Sequence, residues 1–261
     1  DEAHNGTGRS FNEAIVDIEG QSDRHFFFTA TPKHDKGSAR RGMNNTSIYG
    51  GVLESTPAPE LIANGSIVPP KVNTHECDII RTKQNAPMID AMNIMGILDS
   101  LDEDQAQKVL VAAPNTKVMM RMLSETEFCS FLKWLGYDLF WITARHGAFI
   151  NNKKVSRDEF FDTMREYGED PDKKFVLLHY SILSEGISVP GLTSLILLRN
   201  MNVIEMCQSV GRVIRPAPDK QFGNIVVPTY SNNVGISTAR RLETVYDTAF
   251  VEGDPVIANM R

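Results

Sequence analysis

Residues 108–143 read KVLVAAPNTKVMMRMLSETEFCSFLKWLGYDLFWIT. The stretch opens with an almost unbroken apolar run, Lys108-Val-Leu-Val-Ala-Ala113, stopped by Pro114-Asn115. A short run without polar alternation predicts a strand covered on both faces. From Thr116 to Leu135 the apolar residues return at helical spacing, which predicts one long amphipathic helix closed by Gly136 as its C′ residue. Leu139 to Thr143 is again short and apolar, a second buried strand. Strand, helix and strand in succession describe two parallel strands joined by a crossover helix.

The pattern extends in both directions. Downstream, Ser156-Arg-Asp-Glu159 has capping-box spacing and opens a helix to Gly168. Lys174-Phe-Val-Leu-Leu178, Leu195-Ile-Leu-Leu198 and Ile225-Val-Val227 are further strands. Upstream, Ile89, Met92, Met95, Leu98 and Leu101 mark one face of a helix over 85–101. His25-Phe-Phe-Phe-Thr29 reads as a buried strand, and Ile67-Val-Pro-Pro with the alternating stretch from Lys71 to Ile80 as an extended connector. Near-continuous apolar strands alternating with helices predict an α/β fold, a parallel sheet covered by helices on both faces. Ligands of such sheets bind at the carboxyl ends of the strands, so the residues just after each apolar run are the ones to examine. Arg81-Thr-Lys-Gln-Asn-Ala-Pro87 is the best linker between two lobes.

The chain has 261 residues, 41% of them hydrophobic, enough for one large or two small domains. Charged residues make up 23% and the net charge is −6, which argues against histone-like coating of nucleic acid and leaves room for a local basic groove. Cys77, Cys129 and Cys207 stand far apart with no C-x-x-C pair, which favours a reduced, cytoplasmic setting (the host cytoplasm if a phage encodes the chain). No apolar run approaches the roughly 20 residues that span a bilayer, and no signal peptide is visible. A first residue of Asp rather than Met suggests a processed, cut or partial chain. Trp134 and Trp141 read as core, Cys207 as a packed helix residue, and the histidines lack ligand spacing for a structural metal.

Four clusters follow the apolar runs or open the chain: Asp1-Glu2-Ala3-His4; Thr29-Ala30-Thr31-Pro32-Lys33; Ser184-Glu185-Gly186-Ile187-Ser188-Val189-Pro190-Gly191; and Gln208-Ser-Val-Gly211-Arg212-Val-Ile-Arg215. Adjacent carboxylates can hold Mg²⁺ and orient an attacking water, or simply cap a strand. Arg212 and Arg215, three apart on a predicted helix, point the same way and suit a polyanion or a surface ion pair. Gly211 would let another backbone approach closely.

In this order and spacing the clusters resemble the motifs of superfamily 2 helicases and translocases. Asp1-Glu2-Ala3-His4 is similar to motif II, the DEAH box; Thr29-Ala30-Thr31 to motif III; Ser184-Glu185-Gly186-Ile-Ser-Val-Pro190 to motif V; and Gln208-x-x-Gly211-Arg212-x-x-Arg215 to motif VI. The stretch Glu60 to Pro69 resembles the lobe connection of phage and restriction-subunit-like members. The resemblance implies RecA-like lobes: the C-terminal part of lobe 1 over 1–83, a complete lobe 2 over 84–230 and a C-terminal extension over 231–261. It implies ATP and Mg²⁺ as cofactors, with ATP held between lobes. Asp1, with Glu2, would hold the metal; Glu2 would activate the attacking water; His4 would couple nucleotide state to the facing lobe through Gln208. Thr29, Ala30 and Thr31 would link hydrolysis to movement. Glu185, Gly186 and Gly211 would lie near the nucleotide, and Arg212 and Arg215 would act as arginine fingers. DNA (or RNA) would be the partner, touched by Lys33, by Asn115, Thr116 and Lys117, and by Thr143 and Arg145, which follow strands where such lobes meet phosphates.

The family's phosphate loop, G-x-x-x-x-G-K-[ST], is missing from these 261 residues, and the aromatic motif that contacts adenine and the first nucleic-acid motif would also lie upstream. Gly6-Thr7-Gly8-Arg9-Ser10 has Arg in place of Lys and follows the acidic box. An upstream part of lobe 1 is therefore expected to be required for activity. Two alternatives stay open: a non-catalytic nucleic-acid-binding module, and the motor subunit of a restriction enzyme.

Overall fold

The computed structural model describes residues 2–18, 24–36, 40–101, 106–180 and 189–260. After a short 3₁₀ turn at Ala3–Thr7, the elements run α1 (Arg9–Ile18), β1 (Lys33–His34), α2 (Thr46–Tyr49), α3 (Ala58–Ala63), β2 (Pro70–Cys77) and α4 (Ala86–Asp99). They continue with β3 (Lys108–Ala112), α5 (Thr116–Glu125), α6 (Phe128–Trp134), β4 (Asp138–Thr143), β5 (Gly147–Ile150), β6 (Lys153–Val155) and α7 (Arg157–Glu169). Then come β7 (Phe175–His179), β8 (Ser194–Leu197), α8 (Val203–Val213), β9 (Gly223–Tyr230), α9 (Ile236–Tyr246), a π-helical turn at Asp247–Glu252, and β10 (Ala258–Asn259). The chain divides into two compact units, Asp1–Ala63 with Val245–Arg261, and Asn64–Thr244. No helix among the described residues is long and apolar enough to cross a membrane.

The second unit is built on an eight-stranded sheet in the order β2-β9-β8-β3-β7-β4-β5-β6. The six strands from β2 to β4 are parallel, in keeping with the nearly unbroken apolar runs of β3, β4, β7 and β8. Side chains alternate between faces. Val109, Val111, Trp141, Leu178 and Ile196 pack with Ile94 of α4, Met119 of α5 and Leu132 of α6. The opposite face carries Leu110, Phe140, Leu177 and Leu195, all buried, with Phe140 edge-on to Phe160 of α7 at 5.7 Å.

Several elements depart from the sequence reading. The predicted long helix over 116–135 is two helices. Thr126 breaks it: its backbone is extended (φ −130°, ψ 167°), and its hydroxyl donates to the Met122 carbonyl at 2.6 Å while accepting from the Phe128 N–H at 3.2 Å. The side chain thus supplies the hydrogen bonds the helix would otherwise make, a competition typical of threonine. The Gly136 terminus is as expected, at φ +76°, with Tyr137 N–H returning to the Leu132 carbonyl. The stretch expected to be a connector, 71–80, instead supplies β2, paired residue for residue with β9 from Pro70↔Gly223 to Cys77↔Tyr230. An antiparallel hairpin, β5–β6, closes the other edge. Its two-residue turn is Asn151-Asn152, both at positive φ, the backbone a tight hairpin needs. Ser156 caps α7 by accepting from the Glu159 N–H at 3.1 Å. Trp141 is core, stacked on Phe149 at 3.9 Å, but Trp134 is 76% exposed because it ends α6 on the solvent side.

The stretch 81–87 lies inside this unit. Arg81 makes a bidentate pair with the fully buried Asp90, at 2.6 and 2.7 Å. Tyr230 donates to Asp90 at 3.2 Å and accepts from the Asn93 amide at 2.9 Å, while the Cys77 thiol reaches Asn93 Oδ1 at 2.9 Å. Every member has a partner, so the network ties α4 to both β2 and β9 without leaving a bare buried charge.

In the first unit, β1 and β10 form a two-stranded parallel sheet, Lys33↔Ala258 and His34↔Asn259. Residues 25–29 are extended but form no strand, contrary to expectation: Phe26 and Phe28 are 59% and 65% exposed. The alternate residue, Phe27, packs edge-on to Tyr49 at 4.9 Å. Among the described residues one backbone bond, Ala3 N–H to the Phe28 carbonyl at 2.9 Å, joins this run to the acidic box.

Candidate functional site

That backbone bond brings together two clusters separated by 25 residues in sequence. The Ala3–Thr7 turn starts from Glu2, which holds the left-handed conformation (φ 54°, ψ 41°). A non-glycine residue there is uncommon, and the turn sends His4 into the interior, where it is buried. His4 Nδ1 lies 3.0 Å from Thr29 Oγ1 and 3.2 Å from the Glu2 carboxylate. Thr29 Oγ1 in turn accepts from the Thr31 N–H at 3.2 Å, and Thr7 locks the turn by donating to the His4 carbonyl at 2.8 Å. The outcome is a relay, Glu2–His4–Thr29–Thr31. Its carboxylate end is 40% exposed and its imidazole and Thr31 are buried. Ala30 lies exposed between the two threonines. Asp1 lies outside the described residues.

In the second unit, α8 presents Gln208, Gly211 and Arg212. Asn202 caps its N-terminus by accepting from the Glu205 N–H at 2.9 Å. The expectation that Arg212 and Arg215 share one helical face does not hold. Arg212 is on the helix and 8% exposed; the helix ends at Val213, and Arg215 lies beyond it, exposed. The reason is local: Arg215 precedes Pro216, and the proline ring disfavours helical backbone at the residue before it. Lys220 fixes this terminus. Its buried ammonium donates to the carbonyls of Val213, of Arg215 at 2.7 Å and of Leu192 at 2.6 Å. Burial pulls its pKa down to about 8. A Cβ added at Gly211 would meet open space, so close packing among the described residues does not require glycine there. Glu185 and Gly186, with the rest of 184–188, lie outside the described residues.

The residues expected to meet nucleic acid occupy the carboxyl ends of β3 and β4, except Lys33, which is half-buried in β1. Asn115 caps α5, accepting from the Val118 N–H at 2.9 Å; Thr116 begins that helix and Lys117 is exposed. Thr143 is buried and accepts from the His146 N–H at 2.9 Å, holding the turn that carries the exposed Arg145. Asn115 and Thr143 therefore shape their loops, leaving Lys117 and Arg145 as the accessible charges.

Sequence reading missed a second group at the same edge of the sheet. His179 ends β7, 3% exposed, with no hydrogen-bond partner on either ring nitrogen. Arg199, just past β8, pairs with Glu205 at 3.2 Å and lies over the Tyr180 ring at 5.3 Å, while its Nε has no partner. Burial, with the charges of Arg199 and Arg212 adding to it, pushes His179 down to about 3, so the imidazole is neutral. The signal was available: both residues follow apolar strand runs directly.

No protein-family model matches the sequence, and no curated protein sequence matches it. Solved structures do. An ATP-dependent type ISP restriction-modification enzyme, LlaBIII, solved bound to DNA, is similar over 99% of this chain and 21% of its own, with 15% identity and a TM-score of 0.67. A fragment of an HsdR subunit of a type I restriction enzyme from Vibrio vulnificus is similar over 83% of this chain and 41% of its own, with 15% identity and a TM-score of 0.54. The chain thus spans about a fifth of the first protein and two fifths of the second. At these identities the likeness is one of fold: the chain has a RecA-like α/β architecture, a mostly parallel sheet covered by helices, in common with these proteins.

Proposed function

We propose that this chain is part of an ATP-dependent DNA helicase or translocase. The Glu2–His4–Thr29–Thr31 relay carries the reading. Phosphoryl transfer is catalysed mainly by positioning and charge neutralisation. A half-exposed carboxylate held by a buried imidazole suits a group that orients water, and the threonines give that imidazole a route to the next segment of backbone. By residue type Asp1 and Glu2 would suit Mg²⁺ in its usual mode, one or two carboxylates completed by nucleotide phosphates and water, and the described carboxylate, that of Glu2, is 40% exposed; no group of three metal-ligating side chains forms among the described residues. Bound there, the metal would neutralise developing phosphate charge. Arg212, at the end of α8, and Arg215, just beyond it, would act as the arginine fingers on a nucleotide's phosphates. Lys117 and Arg145 would meet the strand's phosphates. DNA is preferred over RNA because the fold-similar restriction enzyme was solved on DNA.

The test is Glu2→Gln in the full-length protein. Losing a group that activates water costs about 10²–10⁴ in turnover while ATP binding persists, and Arg215→Ala costs about 10³–10⁵. A Glu2→Gln protein that hydrolyses ATP at the wild-type rate, with or without DNA, would sink the assignment. Because the 261 residues contain no phosphate-loop sequence, the chain alone is expected to hydrolyse ATP negligibly.

A further inference from the structure

His179 and Arg199 leave three nitrogens without partners at one edge of the sheet: both ring nitrogens of His179 and Nε of Arg199. Buried polar atoms are nearly always satisfied, and exceptions cluster where a ligand or ion completes the set. The register explains why these residues can act together. His179 of β7, Ala112 of β3 and Leu197 of β8 stand in one row. Ala112, between them, contributes only a methyl group, and all three residues are buried. Outer strands of such a triplet are about 10 Å apart, and Arg199 crosses that span to lie over the ring of Tyr180, the neighbour of His179. Glu205 occupies one edge of the guanidinium through Nη1 and holds the plane in place; the Nε atom is left without an acceptor. Solvent lies on the Tyr180 side, where Tyr180 is 39% and Arg199 12% exposed, while the His179 ring is buried.

Arg199 can only donate. The neutral imidazole donates from one nitrogen and accepts at the other, and Arg212 adds positive charge close enough to depress its protonation. The ligand that answers the two N–H donors is an oxyanion with several acceptor oxygens, the accepting ring nitrogen being left to a water, and carboxyl ends of parallel strands are where phosphates bind. We propose that His179 and Arg199 form a phosphate-binding site at the carboxyl ends of β7 and β8, taking one phosphoryl oxygen between the His179 ring N–H and Arg199 Nε–H. The site does not depend on Arg215 reaching a nucleotide or on Glu2 activating water.

The source of the phosphate is either a nucleotide tail or a nucleic-acid backbone, and the probes separate them. The 261-residue chain, labelled with ¹⁵N in histidine, is titrated in phosphate-free buffer with tripolyphosphate, with a single-stranded oligonucleotide, and with succinate. The His179 ring signal, identified by its loss in His179→Gln, shifts saturably with tripolyphosphate, with the oligonucleotide, or with both. Arg199→Lys keeps the charge but lacks the Nε–H donor, and it weakens that binding about ten- to a hundredfold, the size of one charge-assisted hydrogen bond. An unmoved His179 signal at millimolar concentrations of both phosphate probes overturns the proposal. So does equal affinity in wild type and a folded Arg199→Lys protein, or binding of succinate as tight as that of tripolyphosphate. Failure of the helicase reading shows elsewhere, as wild-type turnover in Glu2→Gln, and leaves these titrations interpretable.

Discussion

Replacing His179 with leucine should remove a defined part of the protein's acid sensitivity. The imidazole is held neutral in the folded chain, with its pKa pushed from the usual 6.5 down to about 3 by burial and by the nearby arginines. An unfolded chain protonates that histidine near 6.5. As pH falls through this window the unfolded state takes up a proton that the folded state refuses, so stability is complete above about pH 7 and is lost on acidification towards pH 3. The two pKa values set the size: about 2 kcal/mol lost by pH 5 and about 3 by pH 4, relative to pH 8. His179→Leu has no such proton, and leucine is close in volume to imidazole. It also removes the orphaned buried nitrogens, so at pH 8 the variant should be about 1–3 kcal/mol more stable than wild type. Urea denaturation in phosphate-free buffer at pH 8, 6 and 5 measures both quantities. The decisive one is the difference between the two proteins' pH dependences, since carboxylates and other histidines contribute equally to each and cancel. If wild type and His179→Leu lose the same stability between pH 8 and pH 5, the buried neutral imidazole is not there and the reasoning fails.

Two further outcomes follow from the packing. Lys220→Met leaves the carbonyls of Leu192, Val213 and Arg215 without their shared donor and should cost about 2–4 kcal/mol; denaturation within 0.5 kcal/mol of wild type, a margin ordinary for surface changes, would show that the ammonium does not clamp the α8 terminus. Ala258→Pro deletes the N–H that donates to the Pro32 carbonyl at 2.9 Å, so amide hydrogen exchange at Met260, which bonds the His34 carbonyl, should accelerate by about tenfold. Unchanged protection there would mean the β1–β10 pairing is not what holds the C-terminal segment.

Much of the fold was legible because its strands announce themselves. A run such as 108–113 has no polar face to offer water, so it must be covered on both sides, and the helices between the runs supply the cover. Some misses were legible too. Asn151-Asn152 between two short runs is a hairpin signal, and Pro216 already told against a helix through Arg215. Thr126 was harder, since threonine occurs within helices and only its hydrogen bonds to Met122 and Phe128 show that it ends one. The acidic box and the Thr29–Thr31 cluster could be listed from sequence, but the left-handed turn at Glu2 that points His4 at Thr29 could not.

By itself the sequence determined that the chain is a parallel α/β protein, where the helices α4, α5 and α7 start, and which clusters follow its strands, because these depend on periodicity and on caps a few residues apart. Only the tertiary structure decided which strands are neighbours. β2 lies against β9 although about 150 residues separate the partners, and alternation in 71–80 could say only that one face is covered, never by what. The tertiary structure likewise decided that His179 is set in register with Ala112 and Leu197, and that it and Arg199 keep nitrogens without partners. Whether a buried polar atom finds a partner depends on every element packed around it, and that environment is assembled from distant parts of the chain.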